Sequence, residues 1–273
     1  MFRYFVESIP FYGVAVLCWD HPEVQKIAKQ IIDRRVITYG LDPGADVSCD
    51  NMKLSTTGAT FDVIFSENII PKYNLQKKIW KNFSQSMYGE HNVQNILAAI
   101  AVGLELNIPD DIMRIAVGSF MGVKRRFTCV GHVNGAAIID DYAHHPVEIT
   151  AVLKAARISC EGKVFAVMQP HRHTRLESFL NEFVRALELS DCVFIAPIYS
   201  AGERNNGIDH FTLLNRLKEN AVVKSEFVAD VQCLAAVITK LVQAGDLVIF
   251  MGAGDKTNWA RELSNLCIGN LER

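Results

Sequence analysis

Two apolar periodicities alternate through the carboxy-terminal half of the chain. Short apolar runs at Ala136 to Ile139, Lys163 to Met168, Cys192 to Ala196 and Leu247 to Met251 are separated by longer stretches with apolar residues three and four positions apart. Uninterrupted runs of this kind predict strands buried on both faces, as in a parallel sheet, and the spacing between them predicts helices laid on that sheet. Helices are expected over Val147 to Ile158, Arg175 to Leu189, Phe211 to Lys218, Val231 to Val242 and Ala260 to Leu266, with a further strand at Val222 to Phe227. Asn134-Gly135 suits a tight turn within Thr128 to Asp140. The alternation predicts a three-layer α/β domain with a mostly parallel sheet.

The amino-terminal half is less regular. Phe2 to Ile9 reads as an amphipathic helix with Phe2, Phe5, Val6 and Ile9 on one face. Gly13 to Cys18 and Arg35 to Gly40 read as strands around a helix over Pro22 to Ile32, with Asp20 as a candidate cap. Shorter strand pieces follow at Asp46 to Cys49, Met52 to Thr56 and Ala59 to Ser66, with Gly58 in a turn. Lys72 to Ser86 reads as a strand or loop, although its spacing fits a helix almost as well. Gly89 to Asn107 and Ile112 to Phe120 are expected to be helical. A change of texture between Phe120 and Phe127 places a domain boundary there and divides the chain into 1–123 and 124–273.

Composition narrows the classes of function. The formal charge of -2 over 273 residues gives no global attraction to nucleic acid or acidic membrane, so an anion site must be local. Seven dispersed cysteines without metal or redox spacing fit a reducing compartment. No signal peptide and no apolar run of membrane-spanning length is present in the sequence, and a cytoplasmic location without nucleic-acid or membrane partners is the expectation.

Candidate chemistry collects where predicted strands end. Asp140, Asp141, Tyr142, His144 and His145 follow the run at Ala136 to Ile139, and Pro146 suits the first turn of the next helix. Open α/β sheets place ligands at such carboxyl ends. A turn-capping acid and ordinary exposed histidines are the bland alternative. The strand at Lys163 to Met168 empties into Gln169-Pro170-His171-Arg172-His173-Thr174-Arg175, where Arg172 and Arg175 can grip a carboxylate or phosphate or form only a basic surface loop. Gly252-Ala253-Gly254-Asp255-Lys256-Thr257 could cradle an anion or simply turn the chain; it is neither a P-loop nor a dinucleotide glycine pattern. Lys124-Arg125-Arg126 could hold a phosphate or solvate a linker. His91, Asn92 and Asn95 could contact a ligand or cap a helix. Neighbouring arginines disfavour zinc, and no Gly-x-Ser-x-Gly elbow supports a serine nucleophile.

Taken together, Pro10-Phe11-Tyr12-Gly13, Gly89-Glu90-His91-Asn92-Val93-Gln94-Asn95, Lys124-Arg125-Arg126-Phe127, Asp140-Asp141-Tyr142-Ala143-His144-His145-Pro146, Pro170-His171-Arg172 with Arg175, and Tyr199-Ser200-Ala201-Gly202-Glu203 resemble the Mur ligase family. The resemblance implies the later part of a central ATPase domain followed by a Rossmann-like carboxy-terminal domain. It also implies a cytoplasmic reaction of peptidoglycan synthesis, with ATP and Mg as cofactors and UDP-N-acetylmuramate and L-alanine as substrates. It would place His91, Asn92 and Asn95 at adenine, Arg125 and Arg126 near ribose or phosphate, and Asp140 or Asp141 near the nucleotide. Tyr142, His144, His171, Arg172 and Arg175 would surround L-alanine and the reacting carboxyl, with no metal ligand assigned. The general base is open among His144, water and phosphate.

The family's Gly-Lys-Thr phosphate cradle and acidic metal-binding segment do not occur in these residues. The expectation is a polypeptide related to such a ligase that does not complete the reaction alone, its upstream domains supplied in cis or by a partner. A homo-oligomer is compatible with the sequence. The alternatives are a family member that recycles a murein peptide and a non-catalytic fragment that binds a nucleotide or amino acid.

Overall fold

A computed structural model gives the chain as two compact units, 1–121 and 122–273. It describes residues 2–271 apart from Thr56, Asn206 and Asp255, and side chains through Leu266 apart from Lys256 and Thr257.

The first unit carries α1 (Phe2–Glu7), β1 (Val14–Cys18), α2 (Pro22–Gln30), β2 (Arg35–Tyr39), β3 (Val47–Ser55), β4 (Gly58–Phe65), β5 (Ile79–Gln85), α3 (Glu90–Glu105) and α4 (Asp110–Ser119). Its strands form one sheet in the order β1-β2-β3-β4-β5. The β1–β2 ladder is parallel and the β3–β4 and β4–β5 ladders are antiparallel. Only Tyr39 and Val47 pair β2 with β3. Asp46 reinforces that junction: one carboxylate oxygen accepts from the Thr38 N–H and hydroxyl, and the other from the Ser66 hydroxyl. Phe61, Val63, Phe65, Trp80 and Phe83 of the sheet pack with Ile96, Leu97, Ile100 and Leu104 of α3.

Several expectations for this unit change. Lys72 to Ser86, by contrast, is the turns and strand expected of it, with Trp80, Phe83 and Gln85 of β5 buried. Gly58 opens β4 at φ 135°, and a Cβ there would lie 1.9 Å from the Gln85 carbonyl oxygen, so neighbouring backbone excludes a side chain. His21, rather than Asp20, caps α2. Asp20 instead accepts the backbone N–H groups of Leu41 and Asp42 and the side-chain amide of Gln94. Phe2 and Phe5 share the expected helix with Val6, yet only Val6 is buried.

The second unit contains β6 (Thr128–Val133), β7 (Ala136–Asp141), α5 (Pro146–Ser159), β8 (Val164–Met168), α6 (His173–Ser178), α7 (Leu180–Leu187), β9 (Cys192–Ile195), α8 (His210–Asn220), β10 (Lys224–Phe227), α9 (Val231–Ile238), β11 (Leu247–Met251) and α10 (Lys256–Leu271). The strand order is β10-β9-β8-β11-β7-β6, parallel except for the β6–β7 hairpin. Asn134 and Gly135 turn that hairpin with φ of 49° and 80°, the left-handed pair its tight turn requires.

Alternation along the strands builds two cores. Ile139, Ala166, Met168, Ile249 and Met251 join the core under α5, α6, α7 and α8; Ile138, Phe165, Val167, Val248 and Phe250 join the one under α9 and α10. This is the three-layer α/β arrangement its apolar runs predict. The expected helix over Arg175 to Leu189 is broken at Phe179, whose φ of -129° and ψ of 25° separate α6 from α7. The chain passes from β7 to β8, outward through β9 and β10, and returns as β11 between β8 and β7. Open α/β sheets bind ligands at such a reversal, here the carboxyl ends of β7, β11 and β8.

Candidate functional site

The loop after β7 is held from beneath by buried acids. Asp141 accepts the backbone N–H of Ala143 at 2.7 Å and that of Phe127 at 2.8 Å. Burial pushes its carboxyl above the ordinary range despite these two donors. Asp140, also buried, has an oxygen 3.8 Å from Arg125 Nε. Arg125 extends its guanidinium to the Gly252 carbonyl at 2.7 Å and lies 4.7 Å from the Tyr142 ring centre. Its own carbonyl accepts the Tyr142 N–H at 2.8 Å. Asp140, Asp141 and Arg125 therefore brace the strand ends, while Arg126 is exposed and 5.8 Å from the Tyr142 ring centre.

His145 and Pro146 form the start of α5. The His145 ring accepts the Val147 N–H at 3.5 Å, and Pro146 occupies the first turn, where a missing N–H costs no helical bond. Glu148 accepts the backbone N–H groups of His144 at 3.0 Å and His145 at 3.1 Å. Its burial raises the carboxyl pKa, but these donors and the His144 and Arg126 charges outweigh that and hold it below the ordinary range. The same carboxylate lies 3.5 Å from His144 Nδ1.

His144 connects this loop to the one after β8. Its ring centre is 5.2 Å from that of Tyr142 and 5.4 Å from that of His171. His171 stacks on Tyr199 with 5.5 Å between centres and 22° between planes. A parallel bridge joins His171 to Tyr199, supported by the Arg172 N–H donating to the Tyr199 carbonyl at 2.9 Å and the Tyr199 N–H donating to the Pro170 carbonyl at 2.8 Å. Arg175 Nη1 lies 3.3 Å from His171 Nδ1. Burial first, then the Arg175, His144 and Arg172 charges, lower the His171 pKa, favouring a neutral ring at neutral pH.

Glu203, on the loop after β9, accepts from the Thr174 hydroxyl at 2.8 Å and the Thr174 N–H at 3.1 Å, and stands 3.8 Å from Arg172. Those hydrogen bonds, led by the hydroxyl, depress its pKa and keep a negative charge beside Arg172. The structure thus brings Tyr142, His144, His171, Arg172 and Arg175 to neighbouring strand ends. It adds Glu148, Tyr199 and Glu203, which the sequence reading did not select as site residues. Glu148 had one local signal, its position three residues after the helix cap.

The glycine loop after β11 closes one side. A Cβ on Gly254 would lie 2.4 Å from Gln169 Oε1 and 3.1 Å from Tyr199 Cγ. The expected anion cradle extends to Asp255 and to the side chains of Lys256 and Thr257, which lie outside the described residues.

In the first unit, His91, Asn92 and Asn95 share the amino-terminal turns of α3. Gly89 precedes that helix at φ 87° without a side-chain cap. The Asn92 amide donates to the Tyr88 carbonyl at 2.7 Å, and its oxygen accepts the Asn95 amide at 3.4 Å. All three belong to the first unit, on one helix. Among the described residues, no three His, Cys, Asp or Glu side chains gather as a metal site, and no helix is long and apolar enough to cross a membrane.

Comparison with known proteins identifies the family. Residues 2–103 match the Mur ligase middle domain, and residues 125–254 match the Mur ligase glutamate ligase domain. A UDP-N-acetylmuramate–L-alanine ligase from Paramagnetospirillum magneticum is 45% identical over 263 residues, covering 96% of this chain and 54% of the relative. One from Bradyrhizobium sp. is 47% identical over 268 residues, with 97% and 56% covered. The chain spans about half the length of these curated relatives.

Among solved structures, the UDP-N-acetylmuramate-alanine ligase of Thermotoga maritima aligns with a TM-score of 0.70 and 24% identity, covering 90% of this chain and 50% of that one. A murein peptide ligase of Psychrobacter arcticus aligns at 0.67 with 20% identity, covering 99% and 53%. These two likenesses are ones of fold. With both domain matches in chain order and high identity to its relatives, the chain belongs to the Mur ligase family.

Proposed function

We propose that this chain supplies the amino-acid-binding strand ends and the adenine-side helix of an ATP-dependent ligase. The ligase joins L-alanine to the muramoyl carboxyl of UDP-N-acetylmuramate in the cytoplasmic synthesis of peptidoglycan precursor. The observation that carries this reading is the grouping of His144, His171, Tyr199 and Arg175 at adjoining strand ends, with Arg172 on the same loop. A free amino acid presents a carboxylate and an ammonium. Arg172 and Arg175 match the first, while an imidazole beside Glu148 matches the second.

His91, Asn92 and Asn95 offer amide and imidazole groups suited to an adenine edge. The start of α3 has no side-chain cap, so its positive dipole end faces the same ligand. When bound, ATP would supply the phosphoryl group that activates the muramoyl carboxyl. Arg126 would bind the nucleotide, and Arg125, Asp140 and Asp141 would hold the strand ends that face the reactants. The magnesium that accompanies ATP has no ligand assigned among the described residues.

The chain contains no Gly-x-x-x-x-Gly-Lys-[Ser/Thr] cradle for the triphosphate. The proposed division of labour therefore assigns that part of catalysis to the remaining half of the relatives' length. ADP formation from ATP, UDP-N-acetylmuramate and L-alanine tests the assignment. The chain alone is expected to give no sustained turnover, and addition of the complementary half of a relative is expected to restore it. Full-rate turnover by the chain alone, or no restoration by a folded complementary half, counts against it.

A further inference from the structure

Partners that act in only one hydrogen-bonding sense fix the polarity of the two facing imidazoles. His144 Nδ1 lies 2.9 Å from the Tyr142 carbonyl oxygen and 3.5 Å from Glu148 Oε2. Both are acceptors, so Nδ1 carries a proton, and in the neutral ring the lone pair is on Nε2. His171 Nδ1 lies 3.3 Å from Arg175 Nη1. A guanidinium only donates, so in this ring Nδ1 carries the lone pair and Nε2 the proton. The two ring centres are 5.4 Å apart.

We propose that these histidines work as an unlike pair in amide formation: His144 Nε2 takes a proton from the amino-acid ammonium, and His171 Nε2–H donates to an oxygen of the reactants. This rests on the ligase reading above. In the proton step, an N–H bond of the ammonium breaks, a bond to His144 Nε2 forms, and the positive charge moves onto the imidazole. The amine lone pair then attacks the activated carboxyl carbon, the bond from that carbon to the phosphate oxygen breaks, and the second N–H proton leaves with the phosphate. The new imidazolium directs Nδ1–H toward the Tyr142 carbonyl and the Glu148 carboxylate, which stabilise its charge.

The surrounding charges favour one ring over the other. Glu148, from α5, faces His144; Arg175, from α6, faces His171, with Arg172 at the start of that helix and Glu203 beside Arg172. Tyr142 and Tyr199 flank the pair on either side. Burial and the arginines keep His171 from competing for the proton. Glu148 is a positioning residue, because it acts through His144.

Ring-nitrogen NMR of the full chain at about pH 7.5, where an unperturbed imidazole is mostly neutral, reads the two tautomers directly. Nδ1–H at His144 and Nε2–H at His171 are expected, and an Nε2–H tautomer at His144 overturns the proposal without any need for turnover. Arg175→Gln is expected to release the His171 tautomer while leaving that of His144 in place. In the restored ligase assay, His144→Gln is expected to lower kcat by about 100-fold or more, the usual scale for a lost proton-transfer group, with KM for L-alanine little changed. The deficit should shrink as rising pH deprotonates alanine in solution. A deficit constant across pH overturns the base assignment, whereas failure of the unsubstituted protein to bind or turn over L-alanine refutes the ligase reading and leaves the tautomers to decide the unlike pair.

Discussion

The two units use their sheets differently. In the second, helices cover both faces, and the apolar alternation of β8 and β11 is satisfied in two directions. Asp140, Asp141, His144, His171, Arg172 and Arg175 gather at the carboxyl ends of its strands and in the segments that follow. In the first, α3 and α4 build a large core with the sheet, whereas Val6, Ala15 and Ile31 form only a small cluster. Phe2, Phe5, Phe11 and Tyr12 are exposed there, and Phe2, Phe5, Val6, Ile9 and Leu17 help line an apolar cleft of about 550 Å³. A sheet closed on both faces can commit its strand ends to chemistry. A sheet with apolar residues exposed beside β1 has part of its hydrophobic pattern unsatisfied by its own helices.

That contrast predicts the largest mutational effect in the closed core. Phe250 is buried in the central strand β11, and Phe250→Ala is expected to cost about 3–5 kcal/mol. Urea unfolding followed by second-unit probes reads this loss; a change under about 1 kcal/mol would mean that this core is loosely packed. Next in size is Arg175→Ala, expected to weaken L-alanine binding about 10- to 100-fold, the scale of a charge-assisted hydrogen bond. Calorimetric titration checks it, and unchanged affinity separates Arg175 from the amino-acid site.

The pH dependence of stability gives a smaller effect. His171 has a depressed folded pKa, so the unfolded chain binds more protons just below its ordinary value of about 6.5. Stability is therefore present above that value and declines as pH falls toward the folded one. Glu148 has the same sign at lower pH: its depressed carboxyl pKa contributes stability above the ordinary range near about 4.3, which is lost on acidification. His171→Gln should flatten the upper limb and Glu148→Gln the lower, both read by denaturant unfolding across pH. Unchanged limbs would remove these residues from the linkage.

The smallest effect is expected on the open side of the first unit. Exposed Phe5 gives Phe5→Ser a stability change within about 0.5 kcal/mol of zero. A loss of several kcal/mol in thermal or urea unfolding would show that the apolar residues of α1 are covered in solution.

Sequence reading succeeds where local chemistry and packing agree. The strand β11, Pro146 at the first turn of α5 and the Asn134-Gly135 hairpin each carry a local physical signal. Phe179 supplies no Gly or Pro to announce the break between α6 and α7, so periodicity alone extends one helix through it. The face containing Phe2, Phe5 and Val6 is legible from spacing, but spacing does not say which residues find a partner.

The site divides in the same way. His144, His171, Arg172 and Arg175 stand out because chemically active residues cluster at strand ends. Tyr199 and Glu203 act through long-range packing and hydrogen bonding that sequence separation conceals. Asp20 looks like a local cap, yet it joins β1 to the end of β2 and to α3 through backbone and amide donors.

The most direct test of the amino-acid assignment is NMR titration of the purified chain with L-alanine, in competition with a murein tripeptide. The account predicts saturable shifts confined to residues 142–148, 171–175 and 199–203, with L-alanine holding the site against the peptide. No response to millimolar L-alanine, the affinity scale near -4.1 kcal/mol, or preferential displacement by the tripeptide would contradict it.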